Sequence, residues 1–480
     1  MSVDQKWQGG PSVGCSTDRS TGGGNNESEE WSVLIDRNAE SGHQIFSEEE
    51  KKQLDSMAKA LVEEAKAGQA DDAKPKIQRV PFMLRGNINF NNYFTPKVVS
   101  VGPYHYKDTN LKIAKPIKLK LAARFIKETG VNQEALYLHI KKEIKNLRDC
   151  YDNEAKDYPD HKLAWIFLVD GCAILQFIFI SGQKNFEMEL RKLGIKTDHV
   201  VFGHLDLFLL DNQLPYQLLQ LIMRSTSKEE DFLESINKFI FYYIKAPEQT
   251  YKRNDKIMKD NHVHLLDLIR KILIDQPLQK NKRPNLTETD KKSKYWHSFR
   301  NIEELKAAGI KLKPTETSAV RDITFGGGTL NLPPIVVDDS TAAKFLNMAA
   351  YEMCPDFQNG FEVSTYISFL DSLIDRAQDV KVLREKKILH NALGSDEDVA
   401  KLFNEISTDL VPREEIYLEV NRNIQKYCNS IWRTWFSQFK HDHFHSPWSV
   451  LAFVGAFLAL ASSIIQTVYT VLGYHVDSNR

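Results

Sequence analysis

Apolar residues recur at helical spacing along most of the chain, so the pattern predicts a mainly α-helical protein. Leu136, Ile140 and Ile144 fall on one face of the segment 134–151, which is typical of an amphipathic helix turned towards a core. The segment AWIFLVDGCAILQFIFI, residues 164–180, is apolar nearly all round. It predicts a central buried helix whose few polar side chains need partners inside the protein.

Start and stop signals place the ends of several helices. The sequence SEEE at residues 47–50 is a capping-box pattern, in which the serine hydroxyl and the glutamate carboxylate satisfy free backbone N–H groups. Pro116 and Gly130 are suited to begin and end another helix. Asn212 is a candidate cap for a third helix, and Pro215 restricts the chain near its start.

A different pattern surrounds the glycine run 326–328. Short stretches rich in β-forming residues flank it, with Ile323 and Phe325 before it and Leu330 and Leu332 after it. This predicts a small β-hairpin. The glycines do not form a phosphate-binding loop, because no Gly-Lys-Ser or Gly-Lys-Thr follows them.

These patterns predict a mainly α fold, a helical globular domain with a small β-hairpin, preceded by a disordered N-terminus and followed by one transmembrane helix. The N-terminal disorder is inferred from a composition rich in Gly, Ser, Asn and acidic residues. The predicted divisions are a disordered segment 1–44, an amphipathic helix and linker 45–77, the helical domain 78–440 with an exposed basic loop at about 275–297, a transmembrane helix 448–474 and a short tail 475–480.

Composition narrows the class of protein. Lys plus Arg (63) nearly balance Asp plus Glu (64), so no overall field favours nucleic acid, and no nucleic-acid partner is expected. The five cysteines form no CxxC pair, and their odd number and wide spacing favour reduced thiols over a disulfide framework. The first residues lack the basic and apolar regions of a signal peptide, so secretion by a cleaved signal peptide is not expected.

The stretch from Trp448 to Tyr474 carries no formally charged residue, and about 20 apolar residues suffice to span a bilayer. Aromatic residues near its ends are suited to the membrane interface, and small or polar residues within it are suited to helix packing. A buried core helix is the alternative, but core helices seldom run so long without charge. The predicted anchor residues are Trp448, Gly455, Ala459, Ser462, Ser463, Gln466, Tyr469 and Tyr474.

The charges beside this stretch predict its orientation. Arg433 and Lys440 precede it, whereas Arg480 follows it and is partly offset by Asp477. This bias favours the long N-terminal part on the cytosolic side of the membrane, in a single-pass, tail-anchored topology. We expect the plasma membrane as the location and the lipid bilayer as a partner. The small residues of the helix also allow a homo- or hetero-oligomer through it.

Common catalytic signatures are absent from the sequence: it contains no GxSxG, HExxH, CxxC or phosphate-binding loop. No cofactor or metal ion is predicted, because the alternating His441, His443 and His445 more often flank a membrane span than bind a metal. One alternative is an enzyme that uses acidic and histidine side chains within apolar stretches. These candidates are Asp170, Asp206, Asp211, Asp267, His105, His204 and His264.

Several short motifs, in their order along the chain, resemble a plant family known as the domain of unknown function 247 family. The resemblance covers about residues 78 to 474 and departs from the usual pattern at Tyr106 and Ala173. The motifs are RVPFMLR, VVSVGPYHY, LVDGCAILQF, LLDNQLPYQLL, HLLDLIR, LNLPPIVVDDST, AYEMC, LIDRAQDV and HNALGSDEDVAKLFN. The residues that the resemblance singles out are Gly102, Pro103, Tyr104, His105, Asp170, Gly171, Asp211, Asn212, Gln213, Pro215, Asp338, Asp339, Asn391 and Gly394.

The resemblance implies a helical domain with one C-terminal transmembrane helix and no agreed catalytic residue. Some members lie at the self-incompatibility loci of grasses, which implies recognition between pollen and stigma for those members. Together these observations favour a membrane-anchored interaction, recognition or signalling protein with a protein partner. An enzyme of unrecognised type and a purely structural membrane protein remain the alternatives.

Overall fold

The chain divides into two units, Met1–Ala73 and Lys74–Arg480, which are described separately. The predicted disordered segment 1–44 and the basic loop at 275–297 lie outside the described residues, as do His441, His443 and His445. The computed structural model describes residues 47–67, 75–86, 89–152, 157–245, 255–274, 301–357, 360–429 and 447–477.

The first unit contributes one described helix, α1 (Glu48–Ala67). Its predicted capping box is confirmed: the backbone N–H of Ser47 donates to the Glu50 carboxylate at 2.7 Å, and the N–H of Glu50 donates to the Ser47 hydroxyl at 3.2 Å. The side chains from Ser47 to Ala60 are all exposed. This helix start is therefore fixed by local hydrogen bonds.

Helices make up the first half of the second unit. Pro116 lies in the first turn of one of them, where its missing N–H needs no partner, and Gly130 ends that helix at φ +71°. Both predicted ends are confirmed. The helices are α2 (Phe82–Arg85), α3 (Phe90–Tyr93), α4 (Lys115–Thr129), α5 (Gln133–Lys142), α6 (Ile144–Asp149), α7 (Asp160–Ser181), α8 (Phe186–Leu193), α9 (Thr197–Asp206), α10 (Tyr216–Arg224), α11 (Glu229–Ile244), α12 (Asp255–Lys259) and α13 (Leu265–Ile274).

The second half combines helices with short strands. Two small sheets interrupt the helical order between residues 311 and 391. The elements are α14 (Ile302–Ala307), β1 (Lys311–Pro314), β2 (Thr324–Gly326), β3 (Thr329–Leu332), β4 (Ile335–Val337), α15 (Thr341–Glu352), α16 (Glu362–Leu373), α17 (Ala377–Glu385), β5 (Leu389–Asn391), α18 (Asp396–Ile406), α19 (Leu418–Cys428) and α20 (Pro447–Asp477).

The predicted hairpin is the antiparallel pair β2–β3, in which Phe325 lies opposite Leu330. Gly327 and Gly328 make the turn at φ +58° and +75°, angles that favour glycine. The structure adds two pairings that the sequence did not predict. β1 pairs in parallel with β3, so the sheet order is β1-β3-β2, and β4 pairs in parallel with β5.

α7 lies at the centre of the second unit, as the sequence predicted. It packs against α4, α5, α10 and α11. Phe167, Leu175 and Ile178 are at most 1% exposed, and the helix contributes to a continuous apolar core that extends from Ile77 to Cys428. The described cysteines are free thiols, as expected from their spacing, and they are Cys150, Cys172, Cys354 and Cys428.

α20 covers the predicted transmembrane segment as one helix of 31 residues. Its described large apolar side chains are exposed, and Leu451, Phe457 and Leu460 each expose more than 60% of their surface. Among the described residues, the helix that is long and apolar enough to cross a membrane is α7, yet 89% of its most apolar window is buried inside the protein. The described apolar stretch of α20, Val454–Thr467, is shorter than such a span.

Candidate functional site

The motif VVSVGPYHY forms a loop that binds polar side chains from α7, from the end of α9 and from the segment after α9. We call this assembly the motif junction. It comprises residues 97–106, Asp170, Asp206 and residues 211–213. Side chains from the motifs VVSVGPYHY, LVDGCAILQF and LLDNQLPYQLL meet here, and most of them are buried.

Asp170 joins the loop to α7 and α4. Its carboxylate accepts the backbone N–H of Gly102 at 3.0 Å and forms an ion pair with Lys118 at 2.5 Å. The same lysine donates to the carbonyl of Ser100 at 2.7 Å. Burial raises the pKa of Asp170, whereas Lys118 and the Gly102 N–H counteract that rise. The predicted need for a partner inside the protein is confirmed.

Asp206 holds the beginning of the loop. Its carboxylate accepts the backbone N–H groups of Lys97 at 2.9 Å, Val98 at 2.7 Å and Val99 at 2.9 Å. Burial raises its pKa even though these three donors favour the ionised form. Three N–H groups that no helix or strand would satisfy are therefore bound by one side chain at the end of α9.

Asn212 and Gln213 bind backbone groups on both sides of the junction. Asn212 accepts the N–H of Val101 at 2.7 Å and donates to the carbonyl of Asp206 at 2.7 Å. Its predicted role as a helix cap is wrong, because Pro215 directly precedes α10 and the Asn212 amide is used in the junction. Gln213 donates to the carbonyls of Leu207 and Leu209.

Gly102 is required by the geometry of the junction. Its φ of +69° lies in the left-handed region, and a Cβ atom there would lie 2.8 Å from the carbonyl oxygen of Gln213 and 2.9 Å from the hydroxyl of Tyr151. The neighbouring Pro103 accepts a hydrogen bond from the Tyr158 hydroxyl at 3.1 Å, and Tyr104 donates to the carbonyl of Ile77 at 2.8 Å. The motif glycine thus permits close approach of the two segments.

His105, which is partly exposed, and the buried Asp211 form a contact at one end of the junction. The His105 Nε2 lies 3.0 Å from one oxygen of Asp211, and Arg79 lies 3.5 Å from the other. The His105 side chain is 14% exposed. A carboxylate beside an imidazole fixes its orientation, as in acid–base pairs of enzymes. Among the described residues, however, no hydroxyl or thiol is hydrogen-bonded to this ring.

The other acidic and histidine candidates have separate environments. His204 packs against the rings of Phe177 and Phe239, and burial lowers its pKa to about 4. His264 is fully buried, accepts the N–H of Asp267 through Nδ1 at 3.0 Å, and also has a pKa lowered to about 4 by burial. Within the described parts of the chain, no group of three His, Cys, Asp or Glu residues is arranged to hold a metal ion.

The remaining motif residues are used in other contacts. Gly171 lies on α7 so close to Ile222 that a side chain would collide with it. Asn391 donates to Asp396 at 2.9 Å, and the turn through the exposed Gly394 leads to the capping box of α18. Asp339 is exposed, and Asp338 accepts hydrogen bonds from Ser340 and Thr341.

The sequence interpretation missed the basic partners of these acids. Lys118 was not recognised as a site residue, although Lys118, Leu121, Ala122 and Phe125 recur at helical spacing and all lie on the buried face of α4. Arg270 was also missed, and it is bound by residues far away in the sequence. It forms ion pairs with Glu352 at 2.8 Å and with Glu362 at 2.5 Å.

Burial raises the pKa of Glu352, which also accepts the backbone N–H groups of Val363 and Ser364, each at 2.9 Å. Burial acts on Glu362 in the same direction, but Arg270 and Arg321 outweigh it and hold the pKa of Glu362 below its ordinary value. This network joins α13, α15 and α16. Every charged member has a partner of opposite charge, as a buried structural site requires.

The motif RVPFMLR exposes two large apolar side chains beside the junction. Phe82 is 78% exposed and Met83 is 56% exposed, whereas Leu84 is buried. Arg79 of the same motif contacts the ring of Tyr104 at 4.7 Å as well as Asp211. A cavity of about 20 Å³, room for about one water molecule, lies below α2. It is lined by Leu84, Asn89, Tyr93, Phe94, Leu346, Glu405, Ile406 and Asp409.

Polar residues of α20 bond within the helix. The hydroxyl of Ser462 donates to the carbonyl of Leu458 at 2.8 Å, and that of Thr467 donates to Ser463 at 2.8 Å. The other predicted anchor residues with described side chains, Gly455, Ala459, Ser463 and Gln466, are exposed. The side chains of Trp448, Tyr469 and Tyr474 lie outside the described part of the helix.

The chain is similar to a family of plant proteins. The model of the family DUF247, described as plant protein of unknown function, matches residues 77–462. UPF0481 protein At3g47200 of Arabidopsis thaliana is 28% identical over 80% of this chain and 84% of its own length. Putative UPF0481 protein At3g02645 of the same plant is 20% identical over 88% of this chain and 96% of its own length. No solved structure matches.

Proposed function

The chain belongs to the DUF247 family of plant proteins of unknown function, and on this basis we propose that it is a membrane-anchored interaction protein. α20 is the proposed anchor, and the helical domain presents the surface that binds a protein partner. The observation that carries the proposal is the exposed apolar surface of α20. The sequence charges favour the domain on the cytosolic side of the plasma membrane in a single-pass topology.

Exposure of α20 to water is costly. Leaving a Leu, Ile, Val or Phe side chain in water rather than in an apolar environment costs about 1.5–3 kcal/mol each. A bilayer would remove this cost. The hydroxyls of Ser462 and Thr467 are compatible with lipid, because both already donate within the helix. The apolar residues exposed along α20 are Leu451, Val454, Phe457, Leu458, Leu460, Ile464 and Ile465.

Fractionation of plant cells tests the anchor. The full chain should remain in membranes after an alkaline carbonate wash, and a chain without residues 447–480 should be soluble. The double variant Leu458→Lys/Ile465→Lys should also lose insertion, because a lysine near the bilayer centre costs about 2.5–3.5 kcal/mol. The matched control, Leu458→Val/Ile465→Val, should stay inserted. Retention of the truncated chain in carbonate-washed membranes would contradict the anchor.

The interaction surface that we propose is α2, with Phe82 and Met83. Exposed apolar side chains next to one another are typical of binding surfaces. Their position is fixed, because Arg79 of the same motif pairs with Asp211 of the motif junction and the neighbouring Leu84 lines the cavity. Recognition between pollen and stigma, which the resemblance implies for some grass members, remains a prediction for this chain.

Proximity labelling in plant cells tests this surface. A biotin ligase fused to the full chain should label a reproducible set of proteins. The variant Phe82→Ser/Met83→Ser should lose part of that set while membrane retention stays unchanged. Val411→Ser is the matched control, because Val411 is 65% exposed in another part of the domain. If the α2 variant and the control label the same proteins, α2 is not the binding surface.

A second candidate function rests on the contact between His105 and Asp211. An imidazole held by a carboxylate at a partly exposed position is suited to acid–base chemistry. The Asp211 carboxylate also faces Arg79, which favours a fixed ion pair. His105→Gln should leave every cellular phenotype of the wild type intact if the pair is structural. Loss of function with an unchanged melting temperature would favour the enzyme.

A further inference from the structure

Three lysine side chains gather around two tyrosine rings near the N-terminal ends of α4 and α7. The Nζ atom of Lys115 lies 4.4 Å from the centre of the Tyr106 ring, and that of Lys107 lies 5.1 Å from the centre of the Tyr158 ring. The Nζ atom of Lys162 lies 5.7 Å from both centres. The two rings meet edge to face at 6.1 Å. We call these five residues the lysine cluster.

The rings of the lysine cluster are held by the motif junction. Tyr158 is only 6% exposed, and its hydroxyl donates to the carbonyl of Pro103 at 3.1 Å. Tyr106 belongs to the junction loop and is partly exposed. The side chains of Lys107 and Lys162 are exposed above these rings. The cluster is therefore a surface feature with a fixed base.

The positive charge of the lysine cluster is not paired with nearby acidic residues. In the parts of the chain that the structure describes, none of the three lysines forms an ion pair with a carboxylate. Asp160 pairs instead with Arg148 at 2.5 Å, and Asp108 accepts a backbone N–H two residues later at 2.8 Å. Contacts with the rings offset part of the repulsion between the three like charges. A bound anion would remove that repulsion.

The start of α4 adds to the positive potential. Lys115 is the first residue of this helix, and the first turn contains no acidic residue. The N-terminal end of a helix carries a partial positive charge and favours an anion beside it. The carboxylate of Asp170 attracts Lys115 from a distance, but it is already paired with Lys118.

Exposed apolar side chains continue the same surface. Leu119 follows Lys115 by four residues on α4 and is 47% exposed, and Trp165 follows Lys162 by three residues on α7 and is 49% exposed. Residues three or four apart lie on the same side of a helix, and α4 packs against α7. The lysine cluster, Leu119 and Trp165 thus form one surface, which we call the α4–α7 face.

We propose that the α4–α7 face binds the surface of an anionic lipid membrane. The lysines contact the phosphates and carboxylates of the headgroups, and Trp165 and Leu119 enter the boundary between headgroups and acyl chains. The inference rests on the proposed anchor, which holds the domain close to lipid. Anionic phospholipids are concentrated in the cytosolic leaflet, the side on which the proposed topology places the domain.

A lipid surface fits the α4–α7 face better than an acidic segment of a protein. The cluster holds compact ammonium groups on flexible stems and no arginine fork that would bind one carboxylate or phosphate at two points. Headgroups move laterally, so they adjust to charges that are spread over a surface. A bound peptide gains affinity from a groove or a free strand edge, whereas this face consists of two helices and a loop.

Lysine labelling of the full chain in nanodiscs tests the proposal. An uncharged acylating reagent is applied in discs of phosphatidylcholine with and without phosphatidylserine, and peptide mass spectrometry measures the rate at each lysine. With phosphatidylserine, Lys107, Lys115 and Lys162 should react about fivefold more slowly, and high salt should remove the difference. Lys401, which is 74% exposed on α18, should react equally in both discs. Equal rates at the cluster in both discs would overturn the proposal.

The same labelling in detergent separates this proposal from the membrane anchor. The solubilised full chain needs no insertion, so soluble dihexanoyl phosphatidylserine should still slow the reaction at the cluster. A chain that fails to enter discs but shows this slowing would contradict the anchor and support the face. An acidic peptide that slows the cluster where phosphatidylserine does not would assign the face to a protein partner and overturn the lipid contact.

Fluorescence quenching in the same discs provides a second measurement. Brominated phosphatidylcholine quenches tryptophans that reach the acyl chains. Addition of phosphatidylserine should increase the quenching in the wild type but not in Trp165→Phe. The variant Lys107→Gln/Lys115→Gln/Lys162→Gln should also lose the increase, and an unchanged melting temperature would show that it is folded. An increase that persists in both variants would contradict the proposal.

A matched variant controls for net charge. Lys311→Gln/Lys313→Gln/Lys401→Gln removes three exposed lysines from other parts of the domain and should keep the increase in quenching. If this control loses the increase to the same extent as the cluster variant, the attraction depends on total charge and not on the α4–α7 face, which would overturn the proposal.

Discussion

Two apolar helices of this protein have similar composition and opposite surroundings. α7 is enclosed by α4, α5, α10 and α11, and its buried acid Asp170 is paired with Lys118. The described large apolar side chains of α20 are exposed, and no residue from 451 to 467 carries a formal charge. The comparison teaches that hydropathy alone does not separate a core helix from a candidate anchor. The two kinds of helix are separated by the elements that pack around them and by the buried partners of their charged side chains.

The largest expected effect tests whether the charge pair fixes α7 inside the domain. Lys118→Met leaves Asp170 buried without its cation and should lower the free energy of unfolding by about 3–5 kcal/mol. The double variant Lys118→Met/Asp170→Asn should recover most of this loss, because asparagine still accepts the Gly102 N–H. Urea unfolding of the solubilised chain measures both variants.

A matched change in α20 should have no such effect. Ser462→Ala removes a hydroxyl that bonds within its own helix, so the unfolding of the domain should stay as in the wild type. Equal destabilisation by Lys118→Met and by the double variant would show that the ion pair is not what holds α7.

Lowering the pH should destabilise the domain around α7 and leave the membrane retention of α20 unchanged. The expected effect is of intermediate size. His204 packs on Phe177 of α7, and its pKa is lowered from 6.5 to about 4. The unfolded chain takes up a proton below about pH 6.5 and the folded chain does so only near pH 4. Stability therefore falls as pH falls through this window, by up to about 3 kcal/mol from this residue.

Unfolding measured from pH 7 to pH 4 checks the acid effect. His204→Phe should flatten the dependence, since phenylalanine fits among the same rings and the His204 Nε2 has no hydrogen-bond partner among the described atoms. Membrane retention should not change over this range, because residues 451–467 of α20 contain no ionisable side chain. A slope that is identical in wild type and variant would exclude His204 as its source.

The smallest expected effect compares one glycine in each helix. Gly171→Ala places a methyl group against Ile222 and should destabilise the domain by about 1–3 kcal/mol. Gly455→Ala meets nothing within 4 Å and should leave domain unfolding unchanged. Thermal unfolding of the two variants in the same detergent measures the difference. Equal melting temperatures for the two variants would argue against tight packing of α7.

Local signals in the sequence predicted much of the fold. The apolar run of α7, the cap at Ser47, the ends of α4 at Pro116 and Gly130, and the hairpin at residues 326–328 are confirmed. Each depends on neighbours within a few residues. Such interactions can be read directly from a sequence.

Long-range partners explain most of what was missed. Strand β1 has the sequence KLKP and is mostly exposed, so its pairing with β3 left no alternating pattern to detect. Asn212 has the chemistry of a helix cap, but it bonds Val101, which lies 111 residues earlier.

The motif junction also has a consequence for how the chain folds. Five backbone N–H groups of the loop are bound by side chains that occur 68 to 111 residues later, and they belong to Lys97, Val98, Val99, Val101 and Gly102. During synthesis the loop must wait until residues as far as Asn212 have been made before these groups find their partners. Closing such long loops is slow, and unpaired apolar segments are prone to aggregate meanwhile. The first part of the domain should therefore depend on chaperones until Asn212 has left the ribosome.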